Sequence, residues 1–238
     1  MALLTGNFFA ETLGTSTAVT VLMPDSAQPP PVLYLLHGLG DDETSWTRNT
    51  ALERYAAAYD LAVVMPRGGR SFYVGEHGRF LTEELPRVVA RWLRVADQPA
   101  YVAGLSMGGY GALHWALHHP HRFAGAASLS GVLDVAHPVV RQMLHDGVPH
   151  AFPAGDLTGS DYDLLSLLER PGAAVPPLYL DCGTEDMTYP SNVRFAERAR
   201  RAGRQPTVEF GAGDHDWQYW DRAIQRVLSW IAGLRRGR

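Results

Sequence analysis

The chain has 238 residues, of which 46% are hydrophobic and 19% are charged. This length and composition exclude an intrinsically disordered chain and allow one sizeable buried core. The formal net charge is −4, which argues against nucleic acid or an anionic membrane as the main partner. All 21 cationic residues are arginine, so a Walker-type phosphate loop, a Schiff-base lysine and a Ser-Lys dyad are excluded.

Cysteine content and hydropathy restrict the class of protein further. The one cysteine, Cys182, excludes an internal disulfide and a zinc site built from cysteines. No apolar run is long enough to cross a bilayer, and the N-terminal residues have no apolar core of the signal-peptide type. We therefore expect a cytoplasmic protein with no membrane partner.

Short apolar runs alternate with helical patterns along the chain. Several of these runs are apolar throughout, which is typical of strands covered on both faces. Thr17–Met23 alternates in part and is expected to be an antiparallel edge strand. The predicted strands are Thr17–Met23, Val32–Leu36, Leu61–Met65, Ala100–Gly104, Gly125–Leu129, Leu178–Cys182 and Thr207–Phe210.

Helical spacing of apolar residues indicates helices from Thr82, from Val193 and from Trp217. Strands that alternate with helices predict an α/β fold with a mostly parallel central sheet and helices on both faces. We expect a single domain over residues 1–238. The stretch of about 134–170 is less regular and is expected to be a short insertion over the carboxyl edge of the sheet, where such folds bind ligands.

A Gly-x-Ser-x-Gly pattern surrounds Ser106. It follows a predicted strand and precedes a helical pattern, which is the context that a nucleophile elbow requires. Such a turn presents the serine hydroxyl at a helix N-terminus, where backbone N–H groups favour a developing oxyanion. The sequence predicts Ser106 as a nucleophile.

A second glycine-rich turn, His-Gly-Leu-Gly, ends an early strand. Its backbone can bend towards a substrate carbonyl, and we expect the Leu39 N–H to be one oxyanion donor. The N–H of Met107, directly after the nucleophile, is the expected second donor. His37 is expected to form hydrogen bonds within the loop rather than to act as a base.

His215 is the predicted base, because it lies in a glycine-rich loop between the last predicted strand and the last helix. For the acid that orients it, Asp186 follows the strand Leu178–Cys182, with Glu185 as the second choice. Asp214 and Asp216 flank the base and are expected to serve the loop or to cap the next helix.

Three aromatic residues are candidates for contacts with substrate. Trp46, Phe72 and Tyr73 follow predicted strands at the expected carboxyl edge of the sheet, where they could line an acyl or alcohol pocket. Aromatic residues in such loops serve packing as often as ligand binding, so both interpretations stay open.

The motifs together resemble the putative-esterase family of α/β-hydrolases, and the nearest branch is that of the short-chain tributyrin esterases. The family includes S-formylglutathione hydrolases, feruloyl esterases and mycobacterial mycolyltransferases. The resemblance implies Ser106 as nucleophile, Asp186 as acid, His215 as base, and Leu39 with Met107 as oxyanion donors. The matching segments are LYLLHGLGDDETSW, VVMPRGGRSFY, FLTEELP, GLSMGGYGA, DCGTED and GDHDWQYWD.

The resemblance implies a serine carboxylesterase of small, short-chain acyl esters that works through an acyl-enzyme, with no metal and no organic cofactor. A thioesterase of the S-formylglutathione hydrolase type and an acyltransferase are alternatives within the fold. A non-catalytic binding module is disfavoured, because all the expected site residues are present in order. The sequence leaves the formation of homo-oligomers open.

Overall fold

A computed structural model of the chain describes residues 1–95, 99–170 and 174–237. The strands are β1 Ala2–Ala10, β2 Thr15–Met23, β3 Val32–Leu36, β4 Ala62–Pro66, β5 Ala100–Leu105, β6 Phe123–Leu129, β7 Leu178–Gly183 and β8 Thr207–Gly211. Within the described residues they form one eight-stranded sheet in the order β1-β2-β4-β3-β5-β6-β7-β8. Strands β3 to β8 run parallel, whereas β1 and β2 are antiparallel to their neighbours.

Helices cover both faces of this sheet. They are α1 Ser45–Asn49, α2 Leu52–Ala56, α3 Gly75–Arg79, α4 Leu85–Trp92, α5 Met107–His118, α6 Pro138–Gly147, α7 Leu164–Glu169, α8 Tyr189–Arg201 and α9 Trp217–Arg236. Apolar residues of α4, α5 and α8 pack in one core layer, and those of α2 and α9 pack in the other. The predicted α/β architecture is confirmed.

The two helix layers explain the continuous apolar runs. All five residues of β3 and of β4 are buried, since each strand has helices on both sides. The last helix shows the complementary pattern, because one stripe of α9 is buried and the rest faces solvent. Asp216 caps this helix by accepting a hydrogen bond from the Tyr219 amide at 2.7 Å.

The segment before α4 is helical over more residues than expected. The sequence predicts a helix from Thr82, whereas α3 begins at Gly75 and a π-helical turn, Phe80–Glu84, joins it to α4. Pro86 has no N–H to donate to the Thr82 carbonyl, and the guanidinium of Arg122 donates to that oxygen instead. Continuous helical backbone is therefore compatible with a proline at this position.

The prediction for the sheet edge is wrong. Strand β2 is not an edge strand, because β1 pairs with it from Ala2↔Met23 to Ala10↔Thr15 and occupies the edge. Strand β1 leaves no strand signal in the sequence, since both of its faces are largely exposed and its apolar residues therefore do not alternate with polar ones. In the parts of the chain that the structure describes, no helix is sufficiently long and apolar to span a membrane.

Candidate active site

Ser106 lies at the sharp turn between β5 and α5. Its backbone has φ 52° and ψ −114°, a region that non-glycine residues seldom adopt and that costs on the order of 1–3 kcal/mol. The turn is held by a hydrogen bond from the Ser106 amide to the Leu129 carbonyl at 2.9 Å and by one from the Tyr110 amide to the Ser106 carbonyl at 3.1 Å. The strained turn leaves the hydroxyl at the carboxyl edge of the sheet.

The two glycines of the Gly-x-Ser-x-Gly pattern are required by close packing. A Cβ atom on Gly104 would lie 2.3 Å from the carbonyl oxygen of Gly108. A Cβ atom on Gly108 would lie 2.5 Å from the carbonyl oxygen of Leu36, at the end of β3. The absence of these side chains lets the first turn of α5 pack directly against β3 and β5.

The structure brings the predicted nucleophile, base and acid into one hydrogen-bonded chain. The Nε2 atom of His215 lies 3.0 Å from the Oγ atom of Ser106. The Nδ1 atom of the same ring lies 2.9 Å from Oδ2 and 3.0 Å from Oδ1 of Asp186. An ionised carboxylate only accepts hydrogen bonds, so Nδ1 carries the proton and Nε2 is free to accept the Ser106 proton.

Asp186 is held by donors on several sides. The amide and hydroxyl of Thr188 donate to its Oδ1 atom at 2.7 Å and 2.8 Å, and the Ser130 hydroxyl donates to the carboxylate as well. Burial alone would raise the pKa of Asp186, but hydrogen bonds from His215, Ser130 and Thr188 lower it below its ordinary value. The buried carboxylate therefore keeps its charge at neutral pH.

Ser130 is a residue of the site that the sequence analysis missed. It follows β6, has φ 49°, and accepts a hydrogen bond from Nε1 of Trp220 at 3.1 Å. Trp220 in turn packs edge to face against the His215 ring, with centroids 4.9 Å apart. The position of Ser130 directly after a buried parallel strand is the signal that could have identified it.

The neighbouring carboxylates hold the loop that carries His215. Glu185, the second choice for the acid, is exposed and accepts a hydrogen bond from the Gly213 amide at 2.6 Å rather than from the His215 ring. Asp214 accepts one from the His215 amide at 2.7 Å. Together with the cap that Asp216 provides, these contacts match the expectation of loop and cap roles for the flanking aspartates.

The backbone around Leu39 is oriented by His37. The Gly68 amide donates to Nε2 of His37 at 2.9 Å, so Nδ1 carries the proton and donates to the Gly38 carbonyl at 2.8 Å. Burial lowers the pKa of His37, which favours this neutral form. Because the peptide between Gly38 and Leu39 is trans, fixing its carbonyl also fixes the Leu39 N–H on the opposite side.

Leu39 and Ser106 line the same cavity, which has a volume of about 580 Å³. Met107 begins α5, and the first N–H groups of a helix have no acceptor within that helix. Leu39 thus lies in the loop after β3, and Met107 lies at the start of α5, directly after Ser106.

The wall of the cavity is mostly apolar and combines residues of the predicted insertion with residues near Asp186 and at the start of α8. The predicted insertion contributes α6 and the residue after it to this wall, as expected of a segment over the active site. Met187, directly after Asp186, has 72% of its surface exposed. The apolar wall residues include Phe72, Val132, Val140, Leu144, Val148 and Met187.

Of the three aromatic candidates, only Phe72 lines this cavity. Trp46 is 1% exposed, donates from Nε1 to the Leu36 carbonyl at 3.2 Å, and packs in the core beside α9. Tyr73 is also buried, and its hydroxyl donates to the His37 carbonyl at 3.1 Å. Of the two interpretations left open, packing therefore describes Trp46 and Tyr73, because burial and a backbone acceptor take up both side chains.

Comparisons with known proteins agree with this architecture. A family model described as "Putative esterase" matches residues 10–231. An acetyl esterase from Caldicellulosiruptor saccharolyticus is 26% identical over 98% of this chain and 98% of its own length.

Among the described residues, no group of three or more His, Cys, Asp or Glu side chains is arranged to hold a metal ion.

Two solved structures from Staphylococcus aureus are similar along nearly the whole chain. The fluorophosphonate-binding serine hydrolase F superposes with a TM-score of 0.90 at 30% identity, covering 97% of this chain and 98% of that one. An S-formylglutathione hydrolase superposes with a TM-score of 0.85 at 30% identity and the same coverage. This chain therefore belongs to the Putative esterase family and is a serine hydrolase with the α/β-hydrolase fold.

Proposed function

We propose that this enzyme is a serine carboxylesterase that hydrolyses short-chain acyl esters through Ser106, His215 and Asp186. The observation that carries the proposal is the hydrogen-bonded chain from the Ser106 hydroxyl through the His215 ring to the Asp186 carboxylate. Because the Asp186 carboxylate is charged, the ring proton of His215 stays on Nδ1, and Nε2 is left as the acceptor for the serine proton.

In the first half of the reaction, Ser106 Oγ attacks the ester carbonyl while its proton moves to Nε2 of His215. The carbonyl oxygen becomes an oxyanion, and the N–H groups of Leu39 and Met107 donate hydrogen bonds to it. When the tetrahedral intermediate collapses, the bond to the alcohol breaks and the alcohol leaves with the proton from His215. An acyl-enzyme on Ser106 remains.

In the second half, water takes the place of the alcohol. His215 removes a proton from the water as it attacks the acyl carbon, and the bond between Ser106 and the acyl group breaks with return of that proton to the serine. Asp186 stabilises the imidazolium in both halves. No metal or organic cofactor takes part in this sequence of steps.

The cavity supports an apolar acyl group. Its volume of about 580 Å³ is in the range in which proteins bind small ligands, and its wall is predominantly aliphatic and aromatic. The similarity to an acetyl esterase is the observation that favours a short acyl group. A cytoplasmic location, and the lack of nucleic-acid and membrane partners, stay predictions from the sequence.

A panel of p-nitrophenyl esters of increasing acyl length tests the proposal, with Ser106→Ala as the control. We expect the highest kcat/KM for the short esters and a loss of several orders of magnitude in the variant, which should keep its circular dichroism spectrum. Near-normal turnover by a folded Ser106→Ala variant would contradict the assignment.

Thioester hydrolysis is the second candidate, and the similarity to an S-formylglutathione hydrolase at 30% identity favours it. S-formylglutathione in the same panel separates the two candidates. A much higher kcat/KM for this thioester than for every oxygen ester would replace the primary proposal. Acyl transfer would be recognised by ester products that form when an alcohol is added.

A further inference from the structure

Strand β1 forms an unprotected outer edge of the sheet. It is nine residues long, from Ala2 to Ala10, and pairs only with β2 among the described strands. Leu3 and Phe9 are 52% and 56% exposed, and no charged residue or proline occurs within the strand. Proteins usually protect an exposed edge with charges, prolines or a short strand, because unpaired N–H and C=O groups attract another strand.

The opposite edge of the sheet shows such protection. Strand β8 is only five residues long and carries the exposed charge of Glu209. The two edges therefore differ in length, in charge and in apolar exposure. Of the two, β1 is the edge suited to pairing with another strand.

We propose that β1 pairs antiparallel with β1 of a second copy of this chain, with the two Gly6 residues opposite each other. The sequence of the strand is complementary to itself in this register. The opposed pairs across the two copies are Leu3 with Phe9, Leu4 with Phe8, and Thr5 with Asn7. Apolar residues thus meet apolar residues and polar ones meet polar ones, as in stable cross-strand pairs.

This register also continues the layers of the fold. Opposed residues point to the same face of a sheet, so the α4 helices of the two copies lie on the same side. On that face, Trp92 of α4 is 49% exposed and packs edge to face against Phe8 with centroids 5.0 Å apart. Leu4 and Phe8 of the second copy extend this apolar strip and cover it.

Pairing satisfies the outward-facing backbone groups of both strands. Seven opposed positions, from Leu3 to Phe9, supply roughly six to eight inter-strand hydrogen bonds, since alternate pairs in an antiparallel ladder exchange two each. The contact is symmetric and closes on itself, so it gives a dimer rather than a filament. Because Ser106 follows β5, three strands away from β2 in the sheet order, the pairing leaves the cavity accessible.

The oligomeric state of the purified full chain tests the proposal. We expect the wild type to sediment as a dimer and Leu3→Lys/Phe9→Lys to sediment as a monomer with unchanged esterase activity. Glu209→Lys, which adds a cation at the opposite edge, is the matched control and should stay dimeric. A monomeric wild type would overturn the proposal, as would a dimer that persists in the folded double-lysine variant.

Cysteine cross-linking tests the register without removing the apolar residues. In Thr5→Cys/Asn7→Cys, the thiol at position 5 of one copy faces the thiol at position 7 of the other copy, and oxidation should yield a covalent dimer. Thr5→Cys alone places the two thiols on a diagonal that is too long for a disulfide and should not cross-link. The native Cys182 is buried and does not interfere. Failure of the double variant to cross-link would overturn the proposed pairing.

Discussion

Asp186→Asn removes one charge from the proposed catalytic chain with almost no change in shape. The carboxamide has one acceptor oxygen, and the amide and hydroxyl of Thr188 both donate to the Oδ1 position at 2.7 Å and 2.8 Å. With oxygen in that position, the NH₂ group faces Nδ1 of His215 and donates to it. The ring proton then moves to Nε2, where it points at Ser106 and blocks proton transfer.

The expected loss follows from this change of tautomer. A wrong tautomer in a Ser-His-Asp arrangement lowers kcat by about 10⁴-fold, which corresponds to about 5 kcal/mol of barrier. Initial rates with p-nitrophenyl acetate measure the loss. Glu185→Gln is the matched control, because the Glu185 carboxylate binds the Gly213 amide and should lose less than tenfold. An Asp186→Asn variant within tenfold of wild type would refute the role of the carboxylate.

Further predictions concern packing, ion pairing and thiol reactivity. Gly108→Ala should lower the free energy of unfolding by about 1–3 kcal/mol in chemical denaturation, since the new Cβ atom would overlap backbone carbonyls. Gly233→Ala is the control and should be neutral or stabilising, because a Cβ atom there would have no other atom within 4 Å. Arg226→Ala should cost about 1–3 kcal/mol, because it removes the cation from the buried Asp181, which keeps hydrogen bonds from Tyr179 and Tyr219; a loss within error of zero would contradict this. Burial raises the pKa of the Cys182 thiol to about 12, so a disulfide reagent at pH 8 should label Cys182 only after unfolding.

The buried part of the fold could be predicted from the sequence because burial leaves a direct signal. The interior strands carry continuous apolar runs, and the elbow combines a strand, a Gly-x-Ser-x-Gly turn and a helix in consecutive residues. Chain order then pointed to Asp186 and His215, which the structure places within hydrogen-bond distance of each other. Their catalytic roles stay a prediction until activity is measured.

Other features depend on contacts between distant segments and leave no local signal. Trp46 and Tyr73 look like pocket residues in sequence, but their polar atoms reach carbonyls of the β3 end and their rings are buried. Apolar and polar residues do not alternate in strand β1, since both of its faces are exposed. Ser130 is recognised as a residue of the site only from its contact with Asp186 in the folded chain. The wall of the cavity joins residues of α6 to residues from other segments, such as Phe72, Val132 and Met187, and tertiary packing brings these together.

The activation of Ser106 by His215 is most directly tested by the rate of covalent labelling with a fluorophosphonate. Intact-protein and peptide mass spectrometry of the wild type should show a single adduct, located on Ser106, and Ser106→Ala should show none. His215→Ala should label slower by several orders of magnitude, because the serine hydroxyl loses its proton acceptor. Labelling of His215→Ala at the wild-type rate, or an adduct at a different residue, would contradict the account.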